Sequence, residues 1–374
     1  MKRIEVGILA AVAAISVAAC GSNGGASENE EVGSTKEFLT GPGADGIFGS
    51  DTLAEAMNAA LAASPSTLVY YGSGSGNGEK CLRGQAVTYS GATYCSGTRD
   101  QSIAPMSRNL NGCQAGEKSN RIALDGIGIW SASSQTISDL SLADVRKAFC
   151  GTDGSGSAAA CTATTWSTLS NGASAANPSA TIVKYRRDDA SGTTDTFKSI
   201  LSAAGLACTA FCADVKVVVD TEQGPKLSTD GTGASSIQPP CQASDTATDC
   251  IGRLANANSS VLAYAGLGAT AKAPAKALSV AGKTPTTANI RNLITSPASA
   301  YAFARFLYLN ESTTNARDAE ETKFYNWAFG FAPQGSAATK LSFETKLTGA
   351  GFIACTDPAA SGHKALDCGT AACP

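Results

Sequence analysis

The sequence holds a single histidine, His363, in 374 residues, and no CxxC pair stands with it to build a zinc site. A phosphatase needs a metal cluster or an activated nucleophile, and one late histidine assembles neither. The chain therefore reads as a protein that is not an enzyme, with no catalytic residues, no metal and no cofactor. Charge is scarce as well: charged residues make up 16%, with 28 Lys and Arg against 31 Asp and Glu, for a net charge of −3. No basic run occurs, so the electrostatic footprint of a nucleic-acid binder is missing. Any anion must be held by a local site, because the overall charge does not attract it. The glycine-rich stretches match neither a Walker A loop nor GxGxxG; Gly266 to Ala271 meets only a relaxed dinucleotide pattern, and Pro274 interrupts the helix that should follow.

What is present describes a globular protein. Hydrophobic residues at 43% can fill a full core, and the length favours two lobes over one. Lys2 and Arg3 precede an apolar run from Val6 to Ala19 that is too short to span a bilayer as a permanent helix. Val17-Ala18-Ala19-Cys20 resembles a bacterial lipobox, which implies a signal peptide over residues 1–19 and a lipid anchor on Cys20; an ordinary secretory signal cut nearby is the alternative. Residues 20–36 are small, polar and acidic, and read as a flexible tether. Of 13 cysteines, setting Cys20 aside leaves an even set, as expected of a disulfide-rich chain in an oxidising compartment. Local pairs are expected at Cys81 with Cys95, Cys150 with Cys161, and Cys241 with Cys250.

Strand patterns alternate with helical ones, which predicts an α/β fold with mostly parallel sheets. Gly41 to Gly49 reads as a glycine-rich loop, after which Ser50, Asp51 and Thr52 open a helix with Leu53, Met57, Ala60 and Leu61 on one face. STLVYY (66–71) is a strand, followed by GSGSGNGEK (72–80), readable as a backbone nest or as a flexible loop. QSIAPMSRNL (101–110) brings Ser107 and Arg108 together. DGIGIW, KVVVD and VLAYAG are buried-type strands. The aromatic row Phe324, Tyr325, Trp327, Phe329 and Phe331 is expected in the core. The most informative stretch is TIVKYRRDDASGTTDTFKSILSAA (181–204), a strand, a charged loop and an amphipathic helix. Helix starts expose unpaired N–H groups, and Ser191, Gly192 and Thr193 let an anion approach closely there. Arg187, shortly before that helix, can grip the same anion with two parallel N–H bonds.

Taken in order, these stretches resemble the phosphate-binding lipoproteins of bacterial high-affinity phosphate ABC transporters over nearly the whole mature chain. RRDDASGTT is similar to the family's Arg-x-Asp-Gly-Ser-Gly-Thr signature, with support from GSGSG, SIAPMSR, DGIGIW, LSLADVRKAF, Trp166, VLAYAGLG and ARFLYL. The resemblance implies a two-lobed periplasmic-binding-protein-like fold of type II with two hinge crossings near DGIGIW and VLAYAG. Lobe I would hold residues 37–128 and 266–374, and lobe II residues 129–265. It implies inorganic phosphate as ligand, an ABC permease as partner, a monomer, and a place in the periplasm or on the cell surface, lipid-anchored; Gly21 and Ser22 leave the outer membrane open. The implied ligand set is Ser50, Thr52, Ser75, Ser107, Arg108, Arg187, Asp189, Ser191, Gly192 and Thr193, with Asp189 holding Arg187 in position. Two departures stand out. Ala190 replaces the signature's first glycine, and Arg108 stands where some members place a proton-accepting aspartate, a task then left to Asp51 or Asp189. A surface lipoprotein of structural or adhesive role that keeps this fold without transport is the second reading.

Overall fold

The computed structural model describes residues 46–89, 91–96, 101–112, 114–151, 161–189, 191–221, 224–228, 239–312, 316–355 and 370–371. The expected signal peptide (1–19), Cys20, the tether (20–36), Ala190 and His363 lie outside the described residues. Among the described residues no helix is long and apolar enough to cross a membrane.

The chain opens with strand β1 (Gly46–Gly49), helix α1 (Ala54–Ala63), strand β2 (Val69–Gly72) and helix α2 (Ser75–Leu82). Strands β3 (Val87–Tyr89), β4 (Ala92–Tyr94) and β5 (Ile103–Met106) lead to the long strand β6 (Glu117–Ser131). There follow β7 (Asp139–Leu140), α3 (Leu142–Phe149), β8 (Val183–Arg187), α4 (Gly192–Ala203), β9 (Val215–Thr221), β10 (Gly224–Ser228) and α5 (Ala247–Ala257). The last part comprises β11 (Val261–Gly266), β12 (Lys276–Val280), α6 (Thr287–Thr295), β13 (Ala304–Ser312), α7 (Ala319–Phe329), α8 (Ala337–Gly349), β14 (Ile353–Ala354) and β15 (Thr370–Ala371).

The fold is mixed α/β. β1 and β2 pair in parallel, while the large sheet runs β10-β9-β8-β11-β6-β12-β7, with β13, β14 and β15 also pairing with β6. β8 is parallel to both β9 and β11. β6, however, is antiparallel to β11, β12, β13, β14 and β15. The expectation of mostly parallel pairing is therefore corrected: local strand–helix alternation gives parallel pairs only within a βαβ unit, and one long strand running against its neighbours reverses the balance. DGIGIW is the second half of that long strand. β6 pairs with β13 from Glu117 to Gly126 and with β11 from Ile127 to Trp130, so it joins two parts of the sheet.

Two local readings also change. GIFG at 46–49 is a fully buried strand rather than a loop, because Ile47 and Phe48 are core residues and the register with Val69 to Gly72 satisfies its backbone. GSGSGNGEK is a helix start: Gly74 takes φ 106, a conformation open to glycine, and α2 begins at Ser75. Ser50 caps the turn Asp51–Leu53, which runs directly into α1, and Leu53, Met57, Ala60 and Leu61 are buried as expected. α3 starts on a capping box between Ser141 and Asp144. Phe324, Tyr325 and Trp327 pack in one core cluster, Phe329 lies at its margin, and Phe331 is exposed.

Disulfides join Cys81 to Cys95 and Cys241 to Cys250, as the sequence predicts. The third local pair is corrected. Cys150 bonds Cys208 and Cys161 bonds Cys212, so both cysteines beside the Gly/Ser-rich run tie to one segment before β9. Backbone bonds from Gly151 to Ala210 and from Cys212 to Phe149 hold that segment against the end of α3, which brings the partners together.

Candidate ligand-binding site

Strand ends define the site. β1, β2 and β8 each finish just before the start of a helix, at Gly49, Gly72 and Arg187, and ligand sites in open α/β folds lie at such carboxyl ends. Ser50 N–H donates to Pro105 O at 2.8 Å and Gly74 N–H to Gly49 O at 2.9 Å, so the loop after β1 is fixed to β5 and the loop after β2 to the end of β1. α4 approaches from β8 and completes the cluster.

Seven predicted residues meet there. Ser50, Ser75, Ser107, Ser191 and Thr193 are almost fully buried, with Thr52 half-buried beside them. The Ser75 and Ser107 hydroxyls lie 3.2 Å apart, and Ser107 N–H donates to Ser75 Oγ at 3.1 Å. Thr52 Oγ1 and Thr193 Oγ1 are separated by 3.2 Å across 141 positions of sequence. Gly192 faces the serine pair so closely that a Cβ on it would stand 2.1 Å from Ser107 Oγ and 2.4 Å from Ser75 Oγ. Ser191 Oγ caps α4 by accepting from Thr193 N–H. The starts of α1, α2 and α4 thus converge with their hydroxyls, an arrangement that receives anions.

The arginines are matched by acids. Arg187, 2% exposed, pairs with Asp51, donates to Asp220 at 2.9 Å and to Thr248 Oγ1 at 2.9 Å, and has Asp188 at 3.9 Å. Burial works against its charge, but Asp51, Asp220 and Asp188 more than offset this and raise its pKa. Arg108 lies next to Ser107, bound to Glu79 at 2.7 Å and to Asp195 of α4 at 2.9 Å. Both arginines are thus paired with acids within the protein, and the helix starts and neutral hydroxyls stand beside them.

Asp189 is the predicted site residue found elsewhere, and its expected role is corrected. It pairs with Arg186 at 2.8 Å and Lys198 at 3.0 Å, and its side chain is half exposed. Successive strand residues face opposite sides, so a carboxylate that reaches Arg186 does not serve Arg187. Burial alone would raise the Asp189 pKa, and the bonds from Arg186 and Lys198 bring it below the usual value. The acid that holds Arg187 across the cluster is Asp51.

With this geometry in place, the family follows from one comparison. The PBP superfamily domain matches residues 46–330. The chain belongs to the PBP superfamily. Solved structures with a similar fold include a putative phosphate ABC transporter substrate-binding protein with bound phosphate from Clostridium perfringens, at a TM-score of 0.54 and 19% identity, covering 83% of this chain and 98% of that one. Another is an ABC-type phosphate transport receptor from Vibrio cholerae, with a TM-score of 0.53, 18% identity and coverage of 83% and 98%. The comparison with curated protein sequences yields no match. Within the PBP superfamily fold, the residues that pattern reading missed are charges inside apolar strands. Asp220 closes KVVVD, Arg305 interrupts ARFLYL and Asp125 opens DGIGIW; Arg305 and Asp125 pair at 2.6 Å, with 3% and 1% of their side chains exposed. A charge in such a strand needs a partner, and that requirement is the signal that marks them.

Proposed function

We propose that this protein is a lipid-anchored solute-binding protein that captures inorganic phosphate and delivers it to an ABC permease. The convergence of Ser75, Ser107 and Gly192 carries the reading. Two buried hydroxyls and a helix start with no room for a side chain form a receptor for a compact anion rich in oxygen. Thr52, Ser50, Ser191 and Thr193 add donors, and Arg187 supplies the cation. The bound phosphate competes with Asp51 for that guanidinium, while Asp195 and Arg108 tie α4 to the loop after β5 beside it.

In this reading residues 37–128 with 266–374 form one lobe and 129–265 the other, and the ligand lies between them. The segments of β6 and β11 around Ile127 and Gly266 serve as the crossings about which the lobes close. Cys20 carries the lipid that keeps the protein at the membrane. The similar fold of the Vibrio cholerae phosphate transport receptor and of the Clostridium perfringens protein with bound phosphate supports phosphate over other tetrahedral oxyanions. Calorimetric titration of the full chain with phosphate and with sulfate tests the proposal. Saturable binding of phosphate with at least tenfold weaker sulfate supports it, and a folded protein that releases no heat with phosphate rejects it.

A further inference from the structure

Arg305, within ARFLYL, is not among the residues expected to hold the anion, yet its guanidinium reaches the Thr193 hydroxyl of the cluster. It sits on β13 directly opposite Asp125 of β6. Its Nε and Nη2 both donate to Asp125 Oδ2, at 2.9 and 2.6 Å. Nη2 also donates to Thr193 Oγ1 at 3.1 Å. Among the described residues the buried Nη1 has no hydrogen-bond partner. Buried polar groups are nearly always paired, so an unpaired donor on a fixed guanidinium next to an anion receptor points to an acceptor that arrives with the ligand.

The bond to Thr193 has a second effect. By donating to Oγ1, Arg305 occupies one lone pair of the Thr193 hydroxyl and leaves the Thr193 proton for another acceptor. Thr52 Oγ1, 3.2 Å away, is a neutral hydroxyl and can donate as readily as accept. An oxyanion can only accept. Arg305 therefore biases Thr193 toward donating to an anion, and the strand pairing between β6 and β13 keeps the guanidinium in that place.

We infer that Arg305 is a positioning residue of the oxyanion site, which orients the Thr193 hydroxyl and presents Nη1 as a second cationic donor to the ligand. The inference rests on the phosphate reading above. It assigns to the site a cation whose charge is shared with one carboxylate, Asp125, whereas Arg187 faces Asp51, Asp188 and Asp220. A dianion accordingly gains more from Arg305 than a monoanion does.

The test is a double-mutant cycle on the full chain, with R305Q, T193V and both together, titrated with inorganic phosphate on either side of its second ionisation. R305Q should weaken binding at least tenfold at the higher pH and less at the lower one. The double variant should bind no more than about threefold more weakly than the worse single variant, since the two residues act as one unit. D125N/R305Q removes the unpaired carboxylate that R305Q leaves behind; it should fold and show the same loss. Wild-type affinity in R305Q or in the paired variant would overturn the inference and leave the phosphate reading intact, as would a loss equal at both pH values that multiplies with that of T193V. Wild-type protein that binds no phosphate would overturn both.

Discussion

Arg187 and Asp51, 136 positions apart in sequence, form an ion pair at the point where the starts of α1 and α4 face each other. The same guanidinium Nη2 that meets Asp51 also donates to Asp220, and Nη1 donates to Thr248 Oγ1. This single contact links the loop after β1 to the strand that precedes α4, and it sets the order in which substitutions should act.

Removing the cation should cost more than removing one of its anions. Arg187→Met takes the shared guanidinium away from Asp51 and Asp220, which are only partly buried, so the loss should not exceed about 3–5 kcal/mol, the cost of breaking a fully buried pair. Asp51→Asn leaves Arg187 with Asp220 and Thr248, so its loss should be clearly smaller. Urea denaturation of both variants checks the ranking; equal losses would show that the Asp220 and Thr248 contacts contribute little.

Gly192 should tolerate no side chain. A Cβ there would meet the Ser107 and Ser75 hydroxyls at 2.1 and 2.4 Å, and both side chains are too short to withdraw without breaking their mutual bond. Gly192→Ala is expected to weaken phosphate binding at least tenfold. Gly349→Ala, where nothing lies within 4 Å, is the control and should bind like the wild type.

How much of this was legible in the sequence depends on whether the decisive force was local. RRDDASGTT announced its helix start correctly, because a cap and a small-residue turn are written in adjacent residues. Its acid was assigned to the wrong arginine, since Arg186 and Arg187 leave the strand on opposite faces and only the fold shows which face carries Asp51. GIFG and GSGSGNGEK looked like loops on glycine content alone; burial of Ile47 and Phe48 and the cap at Gly74 overrode that propensity. Arg305 was invisible because its partners come from β6 and α4, far away in sequence. The local rule for cysteines failed at Cys150 for the same reason: its partner is 58 positions on.

The crossed disulfides give a direct check on the fold around β9. Non-reduced peptide mapping should find Cys150 with Cys208 and Cys161 with Cys212. Replacing the second pair by serine releases a loop with a sequence separation of 51 and should cost about 4 kcal/mol in the chain-entropy model. A Cys150–Cys161 peptide would contradict the packing of that segment against α3.

Asp144 should contribute to acid sensitivity. Burial alone would raise its pKa, but donors from Ser141 and Ser170 hold it below the usual carboxylate value. The folded value is the lower one, so the stabilisation is present above the unfolded pKa, near 4, and is lost as pH falls through the folded value. Asp144→Asn should lower stability by about 1–3 kcal/mol at pH 7. The gap to the wild type should close as the pH is lowered below about 4; a gap that stays constant would mean that the charge is not what those donors stabilise.

The central claim is tested most directly by calorimetric titration of inorganic phosphate into the full chain and into Arg187→Met. The account predicts one saturable site per chain with submillimolar or tighter affinity, lost in a variant that remains folded. Binding that is unchanged in Arg187→Met, or absent from folded wild-type protein, would contradict it.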